Sequence, residues 1–239
     1  AGKAAPAYTL AKLIIRLIHA MAARLEAEPA IRDRLRVVFL PDYGVSLAES
    51  LIPAADVSEQ ISTAGFEASG TSNMKFMMNG ALTIGTRDGA TVEMAQAAGE
   101  DSFFLFGLTA AEVAGSRGWY NPTWHYWNDG EIRQVVDLLF SDHLGHGAAQ
   151  TFAPIRHRLM EEGDYYMHLA DLRAYALAQQ RLGALFAERD AWARKAMVNV
   201  AASGRFSSDR TITEYARDIW KVVPVPVPLP PGSSPRGGG

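Results

Sequence analysis

The sequence predicts an α/β protein in which part of a doubly wound, Rossmann-like parallel sheet is followed by a helical C-terminal region. Short apolar runs that read as strands occupy residues 35–40, 57–61, 82–86 and 103–106. Helical patterns separate these runs, and this alternation is typical of a parallel sheet. Beyond residue 131 the pattern is almost entirely helical. We therefore expect an α/β part at residues 1–115 and a mainly helical part at 116–221.

Composition excludes several classes of protein. The 239 residues are 48% hydrophobic and 21% charged, an ordinary globular composition that can bury a sizeable core. The net charge of −3 gives no reason to expect nucleic acid or an anionic membrane as a partner. Cysteine is absent, which excludes thiolate chemistry and fits a cytoplasmic location. Apolar runs are too short to cross a bilayer.

The first element is an amphipathic helix that follows Pro6. Its apolar residues recur with the i, i+3, i+4, i+7 spacing of one helix face: Leu10, Leu13, Ile14, Leu17, Ile18, Met21 and Leu25. Residues 35–40 then predict a strand buried on both faces, and residues 45–51 a short helix. Ligands bind at the carboxyl ends of strands in open α/β sheets. Tyr43, between this strand and helix, therefore lies where a ligand is expected.

A loop of small residues and one lysine carry the strongest chemical signal. Residues 67–73, Glu-Ala-Ser-Gly-Thr-Ser-Asn, lead into a predicted helix that contains Lys75. The backbone N–H groups of such a loop and the positive end of the helix dipole can hold a phosphate or carboxylate. The apolar neighbours of Lys75 predict a lowered pKa for its amine, which favours a nucleophilic lysine. From spacing alone, a loop that caps a helix, with Lys75 extending to water, stays open.

The remaining α/β elements follow in order. A strand at 82–86 is followed by a turn, Arg87-Asp88-Gly89, and a helix at 90–98. The strand at 103–106 then leads into a helix at 108–113. The alternation completes the predicted parallel sheet.

The helical part contains several local motifs. The aromatic run at residues 120–127 could stack on sugar rings, but an irregular packed segment is the preferred interpretation. His143 and His146 have the spacing of two metal ligands, yet their glycine-rich surroundings favour a loop, and no metal is expected. Thr211 and Glu214 predict a capping box for the last helix. The Pro- and Gly-rich residues 222–239 should be extended and then disordered.

Residues 67–79, Glu-Ala-Ser-Gly-Thr-Ser-Asn-Met-Lys-Phe-Met-Met-Asn, resemble the cofactor-lysine signature of the α-glucan phosphorylases, the family of glycogen, starch and maltodextrin phosphorylases. Other stretches resemble the same family: residues 1–6, 39–43, 45–49, 52–56, 58–65, 79–86 and 201–210. The resemblance spans nearly the whole chain except its last residues. It points to the later part of the family's C-terminal domain.

This resemblance implies a fold and a reaction. Family members pair two Rossmann-like domains across a cleft, the GT-B architecture. They use pyridoxal 5'-phosphate while inorganic phosphate cleaves terminal α-1,4-glucosyl bonds of glycogen or maltodextrin, releasing glucose 1-phosphate with retention. The resemblance also implies a cytoplasmic homodimer of an allosteric family for the full-length enzyme.

The resemblance assigns the cofactor site residue by residue. Lys75 would be the catalytic residue that binds pyridoxal 5'-phosphate covalently. Gly70, Thr71 and Ser72 would contact the cofactor phosphate, largely through backbone N–H groups. Tyr43 would lie close to the cofactor.

It also assigns the sugar site. Glu67, Ser69 and Gly70 would hydrogen-bond the hydroxyls of the bound glucosyl unit and so orient the ring for attack. Two positions depart from the pattern of many members: Ser72 replaces a glycine, and Gly44 replaces an arginine found in vertebrate members. Neither departure is expected to abolish catalysis.

Three expectations concern the chain as a whole. It opens at Ala1 inside a family motif and without an initiator methionine, which suggests a piece of a longer protein. The family's cationic residues for the substrate phosphate precede this point, so we expect weak or no cofactor binding, and no glucan turnover, by the chain alone. A non-catalytic glucan- or cofactor-binding module stays open, as does a sugar-nucleotide glycosyltransferase of related fold. Lys75 within a full cofactor signature argues against the last of these.

Overall fold

The computed structural model describes residues 1–223 and 225 and contains two compact units, Ala1–Ser203 and a second that begins at Gly204. The strands are β1 (Val57–Gln60), β2 (Leu82–Thr86) and β3 (Phe104–Phe106). The helices of the first unit are α1 (Thr9–Ala27), α2 (Val45–Leu51), α3 (Ser72–Met78), α4 (Ala90–Ala98), α5 (Ala110–Ser116), α6 (Pro122–Asn128), α7 (Gly130–Leu139), α8 (Ala148–Met160), α9 (His168–Phe186) and α10 (Arg189–Ala202). The second unit contains α11 (Ser208–Glu214) and a π-helical turn, Tyr215–Trp220.

Short 3-10 turns occupy Glu100–Ser102, Asp142–Leu144 and Ser203–Phe206. The predicted tail, residues 222–239, lies largely outside the described residues. Within the described residues, no helix combines the length and the apolar character that a bilayer crossing needs. The proposed division of residues 1–221 at residue 115 stays a prediction.

The three strands form a parallel sheet in the order β1–β2–β3. Val57 pairs with Leu82, and Ile84 pairs with Phe104. Every residue of the central strand β2 is buried, as expected for a parallel strand with cover on both faces. The mixed α/β class and the parallel sheet are therefore confirmed, and the doubly wound arrangement remains a prediction.

The core on one face of the sheet joins it to α9. Its buried members are Leu82, Ile84, Phe104, Phe106, Ala178 and Leu182. Alternate residues of a strand face opposite sides, so Leu82 and Ile84 share this face. Helix α10 contacts α3 and α4, the helices that follow β1 and β2. The residues at the carboxyl ends of β1 and β2 are thus held by a rigid base.

The predicted strand at residues 35–40 is wrong. These residues have no regular secondary structure, and Leu35 and Val38 are 52% and 63% exposed. A strand buried on both faces needs a hydrogen-bonded neighbour and covering helices. No strand in the described part of the chain pairs with this segment, so its apolar sequence alone does not order it.

The predicted amphipathic helix is confirmed as α1. Leu17 on its apolar stripe is buried against Ala148 and Phe152 of α8. Leu13 and Met21, one turn to either side, also pack there. The i, i+4 spacing puts these side chains on one face, which is the face that α8 covers.

Two local predictions in the helical part are wrong. The aromatic run is not irregular and packed: it forms helix α6, capped by the Asn121 side chain, and Trp124 and Trp127 are 60% and 64% exposed. The predicted capping box at Thr211 is absent because α11 begins at Ser208, and the Thr211 hydroxyl instead donates to the Ser207 carbonyl at 3.1 Å.

A capping box does occur at the start of α5. The Thr109 hydroxyl accepts the backbone N–H of Glu112 at 3.3 Å, and the Glu112 carboxylate accepts the Thr109 N–H at 2.8 Å. The Thr109 N–H and the Thr109 hydroxyl both donate to the Glu112 carboxylate at 2.8 Å, and these bonds lower the pKa of Glu112. The reciprocal pair satisfies donors that the first helical turn would otherwise leave free.

Candidate functional site

An open groove beside α3 contains four of the predicted site residues. It has a volume of about 660 Å³, within the usual range for small-molecule sites. Its lining residues are Tyr43, Gly44, Val45, Ala48, Glu49, Ile52, Pro53, Thr71, Ser72, Lys75 and Asn79. The structure therefore brings Tyr43, Thr71, Ser72 and Lys75 together, although they come from segments almost thirty residues apart in sequence.

Lys75 lies one turn into α3 and is exposed on the wall of the groove. The expected apolar environment of its amine is therefore wrong. Met77, two positions further along the helix, is completely buried and lies on the core side of the helix. Residues two apart on a helix point in different directions, so the apolar neighbours in sequence do not surround the lysine. Its amine is accessible to a ligand in the groove.

The start of α3 offers backbone donors toward the groove. Thr71 occupies the N-cap position, and its side chain makes no capping hydrogen bond. The first N–H groups of a helix have no partner within the helix, and the helix dipole is positive there. Thr71 and Ser72 both line the groove, so these donors stand beside the lysine. An anionic group is the ligand that such a set attracts.

Gly70 precedes this helix start and has a left-handed backbone conformation, with φ of +80°. A Cβ atom there would lie 2.9 Å from the side-chain nitrogen of Asn73. The Asn73 amide donates to the Ser69 carbonyl at 3.2 Å, and its oxygen accepts the Met74 N–H at 2.9 Å. Asn73 is buried and thus clamps the loop to the helix. No role for Asn73 was predicted from the sequence.

Glu67 and Ser69 do not line the groove. Both are exposed on the loop that precedes α3, which we call the site loop and define as residues 66–71. The loop and the groove share only Thr71. The predicted sugar-binding side chains are thus not among the residues that line the groove of Lys75, although they and Lys75 belong to one continuous segment.

Glu49 and Asn79 line the groove and were not predicted as site residues. The Asn79 side chain donates to the Lys75 carbonyl at 2.8 Å and so closes the end of α3 below the lysine. Glu49 projects from the last turn of α2. Both residues stand in the motifs quoted above, which was the available signal, but a motif does not say which of its side chains face a cavity.

An aromatic cluster flanks the other end of the site loop. Phe66 packs edge to face on Tyr165 and Tyr166, with ring centroids 5.7 and 5.2 Å away. The Arg117 guanidinium lies over the rings of Phe66 and Tyr165 at 5.0 and 4.6 Å. Such cation–π contacts hold side chains in place at partly exposed sites. They fix the beginning of the site loop against the N-terminal end of α9.

A buried polar network lies at the carboxyl end of β3. The Tyr120 hydroxyl donates to Asp164 at 2.8 Å, and the Leu169 N–H donates to the same oxygen at 2.9 Å. Burial, with the Asp164 charge, raises the pKa of Tyr120. Burial also raises the pKa of Asp171, against the Leu108 N–H that donates to its carboxylate at 2.8 Å. These residues are outside the groove.

Metal ligation finds no support in the described residues, which contain no group of three or more histidine, cysteine or acidic side chains that could hold an ion. His143 belongs to a 3-10 turn, and His146 is exposed in the following turn. The donor set of the groove is instead an amine, backbone N–H groups and a phenol. These groups are compatible with pyridoxal 5'-phosphate, the cofactor that the family resemblance implies.

Comparison with known proteins identifies relatives along nearly the whole chain. A family model described as "Carbohydrate phosphorylase" matches residues 1–222. The chain is 51% identical over 229 residues to a glycogen phosphorylase of Synechocystis sp., which covers 95% of the chain and 27% of that relative. It is 50% identical over 221 residues to a glycogen phosphorylase of Chlamydia pneumoniae, covering 92% of the chain and 27% of the relative. The human muscle form is 51% identical over 231 residues, covering 96% and 27%. The chain thus spans about a quarter of the length of these relatives.

Proposed function

The chain belongs to the carbohydrate phosphorylase family, and from this membership we propose that it carries the cofactor lysine of a glycogen or α-glucan phosphorylase. The reaction is phosphorolysis of terminal α-1,4-glucosyl bonds to give glucose 1-phosphate. Lys75, exposed in a groove beside the helix start of α3, is the observation that carries the proposal. The relatives quoted above are named glycogen phosphorylases, which supports the same substrate class.

The groove residues have distinct parts in this proposal. Lys75 would hold pyridoxal 5'-phosphate through its amine, and its exposure leaves that amine free to react. The backbone N–H groups at Thr71 and Ser72 would bind the cofactor phosphate, aided by the positive end of the α3 dipole. Tyr43 would pack beside the cofactor. When bound, the cofactor supplies a phosphate for proton transfer and charge stabilisation.

The site loop would bind the sugar. Glu67 and Ser69 carry side-chain acceptors and donors, and Gly70 lets the backbone approach closely. Hydrogen bonds to several hydroxyls would hold the glucosyl ring in one orientation, which lowers the entropic part of the barrier. We expect no glucan turnover by this chain alone, because it spans about a quarter of the length of the glycogen phosphorylases it matches.

The larger setting is part of the proposal. The parallel sheet would belong to a doubly wound, Rossmann-like domain of GT-B architecture, with residues 1–115 as its α/β part and 116–221 as its helical part. The partners would be an α-1,4-glucan, inorganic phosphate and glucose 1-phosphate. A cytoplasmic homodimer would be the working form of the full-length enzyme.

The test is reductive trapping of the cofactor. The pure chain is mixed with pyridoxal 5'-phosphate, reduced with borohydride and mapped by peptide mass spectrometry. We expect the adduct, however low its yield in the chain alone, to fall mainly on Lys75, because its exposed amine lies in the groove beside the start of α3. Lys75→Arg should abolish the adduct, and Lys12→Arg, which changes an exposed lysine of α1, should leave it unchanged.

Labelling spread over many surface lysines, or labelling that survives in Lys75→Arg, would contradict a preformed cofactor site. Retention of a sugar nucleotide by the purified chain would favour a glycosyltransferase of related fold. Glucan affinity without turnover, even after the remainder of a phosphorylase is supplied, would favour a non-catalytic binding module.

A further inference from the structure

We propose that Asp88 is a positioning residue that sets the conformation of the site loop and thereby aims Glu67 and Ser69 at the sugar. This proposal rests on the proposed function, which assigns sugar binding to those two residues. Asp88 itself does not line the groove of Lys75, so it acts through the loop.

One carboxylate oxygen of Asp88 holds the start of the loop. It accepts the backbone N–H of Phe66 at 3.0 Å and that of Glu67 at 2.7 Å. Hydrogen bonds to an ionised acceptor are about twice as strong as neutral ones. Two adjacent N–H groups that converge on one oxygen fix the peptide plane between them, and with it the direction in which the Glu67 side chain leaves the backbone.

The backbone that carries Asp88 is held by a buried strand and by hydrogen bonds. Asp88 comes two residues after the fully buried strand β2, and its own N–H donates to the Thr86 carbonyl at 3.0 Å. The Thr86 hydroxyl donates to the Ser62 carbonyl at 2.6 Å, which ties the chain after β1 to the end of β2. Neighbouring parallel strands end at the same sheet edge, so Asp88 reaches a loop that is over twenty residues away in sequence.

A second bond secures the middle of the loop from the same turn. The Ala90 N–H donates to the Ser69 carbonyl at 2.7 Å. Between Asp88 and Ala90 stands Gly89, where a Cβ atom would lie only 2.5 Å from that carbonyl oxygen. The turn after β2 thus contacts the site loop at Glu67, through Asp88, and at Ser69, through Ala90. Asp88, Glu67 and Asn73 are among the residues that line a small cavity of about 10 Å³, room for about one water.

Amide hydrogen exchange of the full chain, followed by NMR, tests the anchor. In Asp88→Ala we expect exchange at Glu67 to rise on the order of ten- to a hundredfold, from the loss of a bond to a charged acceptor. Exchange at Phe66 should rise less, because its N–H also donates to the Thr63 carbonyl at 3.1 Å. Asp88→Asn keeps an oxygen that can accept both N–H groups and should restore most of the protection. Asp56→Ala is the control, because Asp56 precedes β1 at the amino ends of the strands, and it should change the exchange rate of neither amide. Unchanged exchange in Asp88→Ala would overturn the proposal.

Binding of D-glucose, measured by titration of the same samples, gives a readout that a purely structural role would not move. We expect the Kd to rise by roughly tenfold in Asp88→Ala and by much less in Asp88→Asn, with the melting temperature of the latter unchanged. Equal affinity of the wild type and Asp88→Ala would overturn the positioning role. Faster exchange in Asp88→Ala, combined with no glucose binding by the wild type, would support the anchor and count against the proposed sugar site.

Discussion

Replacing Gly89 by alanine should destabilise the chain because two independent terms oppose a side chain there. The backbone of Gly89 has φ of +50° and ψ of −149°, a conformation that costs a non-glycine residue about 1–3 kcal/mol. The new Cβ atom would also lie 2.5 Å from the Ser69 oxygen and 3.0 Å from Cγ of Glu67. Moving the Ser69 carbonyl away loses its hydrogen bond from Ala90, about 0.5–1.5 kcal/mol. A more restricted unfolded chain returns about 0.4–1 kcal/mol.

The net expectation is a loss of about 0.5–4 kcal/mol in the free energy of unfolding. Urea denaturation followed by far-UV circular dichroism measures it. Gly183→Ala is the matched control, since Gly183 lies inside α9 with no atom within 4 Å of a built Cβ. There alanine should stabilise by about 0.5–1 kcal/mol. The reasoning would be refuted if Gly89→Ala were stabilising like the control, or if it lowered the free energy of unfolding by less than about 0.5 kcal/mol.

Two further predictions concern the polar network and a helix cap. Burial raises the pKa of Asp171, so the native state holds this proton more tightly than the unfolded chain, and the wild type gains stability as pH falls. Asp171→Asn keeps an acceptor for the Leu108 N–H and carries no charge, so at about pH 7 it should be more stable in urea than the wild type. This difference in the free energy of unfolding should shrink toward about pH 4. A difference that does not change with pH would contradict the prediction. Thr109→Ala breaks the capping box with Glu112 and should lower the free energy of unfolding, measured by thermal denaturation, by about 1 kcal/mol. Thr123→Ala, inside α6, is the control, and an equal loss of stability there would argue against the role of the cap.

Strands β2 and β3 could be predicted from the sequence because each is a short apolar run that the fold buries. Residues 35–40 have the same kind of sequence but no strand partner in the described chain. Apolar composition shows that a segment could be buried as a strand, whereas strand pairing depends on neighbouring strands that are distant in sequence. The prediction for the aromatic run was wrong for a related reason. Asn121 caps helix α6 and Pro122 is its first residue, so this segment is helical although its indoles are largely exposed.

The chemical content of the site could also be predicted in part. The residue types around Lys75 pointed to the groove donors. Tyr43 does line the groove, although residues 35–40, the strand from which its place was predicted, form no strand. The surroundings of Lys75 could not be predicted from its sequence neighbours, because a helix turns alternate residues to different sides. Asp88 was visible only as part of a turn, since its bonds to residues 66 and 67 require the β1–β2 register.

The exposed tryptophans give this chain an unusual optical property. Trp119, Trp124, Trp127 and Trp220 are each more than half exposed in the folded state, and the chain has five tryptophans in total. Their emission in the native chain therefore arises mainly from indoles already in water, so unfolding should shift the fluorescence maximum only slightly. The same indoles should be readily quenched by acrylamide, and protection from quenching would directly report any molecule that settles on α6.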